Sequence, residues 1–220
     1  MVPRGGLEAV QAALLGAGWE WVKQDPYDDE YYRLWMHELP PLIHRERDRM
    51  IDVHHTILPL TARRKPDATA MIGNSRELAE GLRILSPADM VIHSAAHLFA
   101  DGDLAGGLRN LWDIDRLLRD FASADPAFWQ ALEARAALHD LSAAVQRAAR
   151  LASHLYGTPV PENMRVLDGA DHLFRARLLA RNGWGQPTRP GLRFAFYVRS
   201  HWMRMPPAML ARHLWTKARR

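Results

Sequence analysis

At 220 residues, with 48% apolar content and a formal charge of +4, the chain has an ordinary globular composition that can bury one large or two small cores. It contains no cysteine, which excludes a disulfide framework and a thiolate zinc site and makes a reducing cytoplasm the expected compartment. No segment approaches the roughly 18 uninterrupted apolar residues of a membrane span, and the first residues show no basic stretch followed by a long apolar one.

Leu7, Val10, Leu14 and Leu15 recur at helical spacing and stop at Gly16 and Gly18, which predicts a short first helix with a glycine C-terminal signal. A strand is expected over residues 19–22. The cluster Asp25-Pro26-Tyr27-Asp28-Asp29-Glu30 reads as a turn or loop. Residues 33–44 and 50–58 then read as two strands joined by the charged turn Arg45-Glu46-Arg47-Asp48, the first bent or at a sheet edge because of Pro40 and Pro41.

From Ser86 the pattern is helical. Ser86 offers a hydroxyl at the N-cap, with Pro87 at the first helical position and Asp89 at the third, so a helix is predicted to start there and run to about residue 100. Leu108, Leu111, Ile114, Leu117, Leu118 and Phe121 mark a second helix over about 104–121. Asp125-Pro126 opens a third. His139-Asp140 reads as a charged loop before a fourth, which ends near Tyr156-Gly157, and Thr158-Pro159-Val160-Pro161 as a linker. Neither an internal repeat nor a low-complexity segment is present.

The remainder is strongly basic. After Asp171 there are eleven Lys and Arg and no acidic residue, leaving 18 basic against 25 acidic residues in the rest of the chain. Two or more basic helices are expected there, broken by Pro206-Pro207. Phe194, Tyr197, Val198, Trp202 and Met205 recur at three- and four-residue spacing and read as a core-facing stripe. The basic residues opposite, among them Arg193, Arg199, Arg204, Arg212, Lys217, Arg219 and Arg220, could meet RNA phosphates, another polyanion or an anionic membrane surface.

The chemistry concentrates in Met50-Ile51-Asp52-Val53-His54-His55-Thr56-Ile57-Leu58-Pro59. Alternation places Ile51, Val53 and His55 on one face of a strand, and Asp52 and His54 on the other, where an acid and an imidazole project together. A second block runs from Leu85 through His93 and His97 to Phe99, and a third reads Leu108-Arg109-Asn110-Leu111-Trp112-Asp113-Ile114-Asp115. His93 and His97, four apart on one helical face, could both reach one ion. With Asp101, Asp113 and Asp115 they would form a His/Asp metal site of the kind a metal-dependent hydrolase uses. More readily, they join Arg109 and Asp113 in a buried polar network that docks the helices on the sheet and touches substrate. Arg109 and Asp113 are also spaced to pair along their helix, and the arginine fork suits a phosphate.

These blocks resemble the uncharacterised bacterial nucleotidyltransferase family of the polymerase-β-like superfamily, over roughly residues 2–161. The resemblance implies an α+β fold: a small, N-terminally incomplete nucleotidyltransferase-like mixed sheet over 1–85, a mainly α-helical domain over 86–158 and a basic helical region over 159–220. It implies metal-dependent transfer of a nucleoside monophosphate from a nucleoside triphosphate to an acceptor hydroxyl, with Mg²⁺ as cofactor. Asp52 would be metal ligand or base for the incoming hydroxyl, and His54, His93, His97, Arg109 and Asp113 would bind substrate. The Gly-Ser turn and Asp-x-Asp strand that the superfamily places upstream are not in this chain, whose first four residues read like those that follow such a strand. One carboxylate does not make a two-metal site, so a degenerate, non-catalytic module that binds a protein or polyanion is the alternative.

Overall fold

The computed structural model describes residues 1–23, 26–207, 210–211 and 215. Asp25, Arg212, Lys217, Arg219 and Arg220 lie outside the described residues, as does the side chain of Asp101.

The N-terminal part is built on a short helix and a small antiparallel sheet. Helix α1 (Leu7–Gly16) ends where Gly18 adopts φ +88°, the left-handed conformation that a residue without Cβ reaches at no steric cost. Strand β1 (Trp19–Trp21) follows as expected. The turn and strand read into residues 25–41 give way to helix α2 (Pro26–Trp35). A proline at the first helical position followed by acids is a helix start as well as a turn signal. Strands β2 (Leu42–His44) and β3 (Met50–Ile51) complete a sheet of order β1-β2-β3, with Trp19 opposite His44 and Leu42 opposite Ile51.

The pairing of β2 with β3 continues beyond the regular strands. Leu39 N–H donates to the Val53 carbonyl at 3.0 Å, His55 N–H donates to the His37 carbonyl at 2.9 Å, and Glu38 bridges His54. Between this bridge and the Leu42–Ile51 pair the register slips by one residue, so Pro40-Pro41 form a bulge, a place in a ladder where a missing N–H does no harm. Leu7, Leu39 and Val53 form a small core under this sheet.

The main core begins at Ile57 and runs through the helices to Phe196. Helix α3 (Ala68–Gly73) is capped by the Asp67 carboxylate, which accepts from Ala70 N–H, and strands β4 (Arg76–Glu77) and β5 (Arg83–Ile84) pair as an antiparallel hairpin. Helix α4 (Pro87–Ala95) has the expected N-cap, the Ser86 hydroxyl accepting from Asp89 N–H. It continues into a π-helical turn, Ala96–Asp101, closed by Gly102 N–H on the His97 carbonyl at 2.9 Å. A Cβ on Gly102 would stand 2.7 Å from that carbonyl, so only glycine lets the chain leave the wide turn there.

Helices α5 (Gly107–Ala124), α6 (Phe128–Leu138) and α7 (Ser142–Tyr156) pack around α4. Leu111, Ile114 and Leu118 of α5 are fully buried, each contributing about 1.5–3 kcal/mol by leaving water. Two stretches read as solvated are interior. His139, expected in a charged loop, is fully buried with its Nε2 3.5 Å from Asp89, and the expected linker packs inward through Thr158 and Val160 because the Thr158 hydroxyl donates to the buried Asp115 at 2.6 Å. Helix α8 (Gly169–Leu178) opens with a capping box between Asp168 and Asp171, and the buried Asp171 pairs with Arg147 at 2.8 Å and with Arg150.

Helix α9 (Pro190–Arg204) turns a different face inward from the predicted stripe: Phe196 and Ser200 are buried, whereas Phe194 and Trp202 are exposed. The last turn explains the shift. Arg63 N–H donates to Met203 O at 3.0 Å, the Arg63 guanidinium to Trp202 O at 2.9 Å, and the Thr61 hydroxyl to Arg204 O at 2.6 Å, so a remote segment satisfies the helix's terminal carbonyls and fixes its rotation. Among the described residues no helix is long and apolar enough to cross a membrane.

Candidate functional site

The bulged ladder decides which side chains meet. Across it, residues 37–39 lie antiparallel to residues 53–55, so His37 and Glu38 come beside His54. The π-helical turn after α4 brings His97 to the same place, and His93 follows one turn earlier. Ring centroids are 5.0 Å apart for His37 and His54, 5.8 Å for His37 and His97, 6.4 Å for His54 and His97, and 4.6 Å for His93 and His97. Four imidazoles and a carboxylate therefore gather where the ladder meets α4 and its π-helical turn.

Within this cluster, Glu38 Oε2 and His54 Nε2 are 2.8 Å apart, with their side chains about one-fifth and one-quarter exposed. One ligand atom from each of His37, Glu38 and His54 can be chosen so that all lie within 4.8 Å of one another. His37 is buried, and its Nδ1 has no hydrogen-bond partner among the described residues. Burial pushes His37 down to about 4, against the pull of Glu38 and with help from His54 and His97. Burial also lowers His93 to about 4, assisted by His97, His54 and His37. For Glu38, burial acts upward but is outweighed by the hydrogen bond from His54 and the charge of His37, which hold the carboxyl below its ordinary value. At neutral pH the cluster thus presents neutral His37 and His93 beside an ionised carboxylate.

Asp52 stands just past β3, exposed, and its carboxylate meets no hydrogen-bond or ion-pair partner among the described residues. Val53 and His55 are buried while His54 is half-buried. On the His55 side opens a recess of about 220 Å³ lined by Arg4, His55, Thr56, Arg64 and Lys65. Arg64 is also held by Asp140 through two contacts of 2.6 and 2.7 Å, so Arg4 and Lys65 carry most of the recess's positive charge.

Arg109 and Asp113 do not join the histidines. Both are exposed on α5, because Leu111, Ile114, Asp115 and Leu118 take the inward face and residues 109 and 113 fall on the other. Asp115, one of the acids of the His/Asp set, is fully buried and already bonded by Arg116, by Arg119 at 2.7 Å and by Thr158. His37 and Glu38 were invisible to sequence reasoning. Their signal, Met36-His37-Glu38-Leu39 alternating opposite Asp52-Val53-His54, emerges only when the two strands are laid against each other in the bulged register.

No curated protein and no solved structure matches the chain. A family model described as an uncharacterised nucleotidyltransferase matches residues 1–157, which takes in α1 to α7, the whole ladder and all four clustered histidines. The chain belongs to that uncharacterised nucleotidyltransferase family.

Proposed function

We propose that the protein transfers a nucleoside monophosphate from a nucleoside triphosphate to an acceptor hydroxyl at the edge marked by Asp52. In this step the acceptor oxygen bonds to the α-phosphorus, the bond to the β-phosphate oxygen breaks, pyrophosphate leaves, and the acceptor proton passes to the Asp52 carboxylate. The reading rests on membership of the family. The observation that supports it in this chain is the recess of Arg4, Arg64 and Lys65 three residues along from Asp52, cationic enough to receive a polyphosphate.

The Mg²⁺ implied by the family resemblance does not fit the residues described. Mg²⁺ demands near-octahedral oxygen ligands, whereas the edge offers Asp52 alone, Glu38 is engaged by His54, and the other donors are imidazole nitrogens. That donor set favours the second reading, a non-catalytic module that holds a nucleotide, protein or polyanion without turnover.

Radiolabelled α-phosphoryl transfer separates the two. Wild-type protein with each of the four ribonucleoside triphosphates and a panel of hydroxyl acceptors is expected to give labelled product and pyrophosphate, and Asp52→Asn to lose at least about 100-fold, the lower value of a positioned general base. Equal transfer by wild type and Asp52→Asn refutes the role of Asp52. Binding without product in either protein establishes the non-catalytic reading.

A further inference from the structure

The histidine cluster has the dimensions of a coordination site for a metal softer than Mg²⁺. A tetrahedral ion with metal–nitrogen bonds of about 2.0–2.1 Å sets imidazole centroids about 5 Å apart. His37 and His54 stand at 5.0 Å, whereas His97, at 5.8 and 6.4 Å from them, lies beyond that spacing and outside the group of ligand atoms within 4.8 Å of one another, so its ring must close in to complete the shell. Glu38 brings a carboxylate oxygen into the same group. The three residues come from both arms of the bulged ladder and His97 from the π-helical turn, so each ligand is mounted on hydrogen-bonded backbone.

We propose that His37, Glu38, His54 and His97 bind one Zn²⁺-class ion that ties the ladder to the π-helical turn after α4. The three-nitrogen, one-oxygen donor set suits Zn²⁺, with Co²⁺ as its spectroscopic substitute, and excludes the hard, oxygen-seeking Mg²⁺. On binding, His54 leaves its hydrogen bond to Glu38 and takes the tautomer with its proton on Nδ1, so that Nε2 and the Glu38 carboxylate both turn lone pairs to the ion. Their ligand atoms, 2.8 Å apart in the hydrogen bond, move about half an ångström to the tetrahedral spacing. The orphaned ring nitrogen of buried His37 agrees with this, since a buried polar atom without a partner is a cost that folded proteins seldom carry. The part-exposed edges of Glu38 and His54 give the ion its way in. His93 packs edge-on against His97, with ring centroids 4.6 Å apart, and is not one of the four ligands proposed.

The inference stands apart from nucleotidyl transfer and is read without any activity. Tag-free full-length protein is stripped with chelator, checked for native circular dichroism, and titrated with Zn²⁺ and with Co²⁺. The site predicts one metal per chain by elemental analysis, visible Co²⁺ bands of four-coordinate intensity, and a melting temperature that rises with metal. His37→Gln and His54→Gln should each weaken binding at least 10-fold, and His97→Gln should shift the Co²⁺ bands toward higher coordination. His93→Gln and the exposed His172→Gln should retain one metal per chain. A folded apo-protein that takes up no stoichiometric metal overturns the proposal. So does equal affinity in wild type, His37→Gln and His54→Gln, or loss of the metal on replacing His172.

Discussion

Replacing Asp89 by Asn will test how the helical core is locked. The side chain is fully buried and accepts from Arg135 Nε at 3.0 Å and Nη2 at 2.8 Å, from Asn74 at 3.1 Å and from the Ser86 hydroxyl at 2.8 Å, with His139 at 3.5 Å. Asn preserves the shape, removes the charge and presents an N–H₂ group to donors. Arg135, whose side chain is about one-fifth exposed, then loses its carboxylate partner and keeps its bond to the Ala70 carbonyl at 3.2 Å. Breaking a buried pair by removing one partner costs about 3–5 kcal/mol, and the residual exposure of Arg135 places the loss at about 3 kcal/mol. With a urea slope of about 3 kcal/mol per molar, the midpoint should fall by about 1 M. The pH dependence adds a second reading. Burial pushes the Asp89 carboxyl up, but His139, Arg135, Asn74 and Ser86 together hold it well below the usual carboxylate range. Its stabilisation is therefore complete above the unfolded value of about 3.9 and is lost as pH falls toward the folded value. The wild type should lose its advantage over Asp89→Asn below about pH 4. A midpoint shift under about 0.3 M at pH 7, or a gap that stays constant into acid, refutes the reasoning.

Asp113→Asn, on the exposed face of α5, is expected to change stability by less than about 0.5 kcal/mol in the same urea assay. Gly102→Ala forces a Cβ to 2.7 Å from the His97 carbonyl and should lower the melting temperature while broadening the His97 imidazole resonance, because the π-helical turn must rearrange. If a triphosphate lies in the recess, Arg4→Ala combined with Lys65→Ala should raise its Kd about 10-fold and flatten its salt dependence, as seen by calorimetry. Asp171→Ala leaves Arg147 and Arg150 without their buried acceptor and removes half of the α8 capping box, so an increment similar to that of Asp89→Asn is expected by urea unfolding.

Signals carried by adjacent residues were the legible ones. Ser86-Pro87-Ala88-Asp89 announced α4 because cap, proline and acid act within one turn, and the apolar spacing from Leu108 to Phe121 marked α5 for the same local reason. Residues 26–35 were not legible, since proline followed by acids opens both turns and helices and only packing decides between them. The inward face of α9 was also hidden, being set by Thr61 and Arg63 from far along the chain. At the candidate site, Asp52 and His54 stood out through alternation, and His93 and His97 through helical spacing. Joining them to His37 and Glu38 depended on a one-residue bulge at Pro40-Pro41, which no local pattern specifies.

The most direct test of the central claim is to locate a bound nucleotide. Backbone and imidazole NMR resonances of the full chain would be followed during titration with a non-hydrolysable nucleoside triphosphate. Nucleotidyl transfer at this edge predicts saturable shifts confined to Arg4, residues 52–55 and Lys65, weakened in Arg4→Ala/Lys65→Ala. Saturable shifts centred elsewhere, or none at millimolar nucleotide, would contradict it.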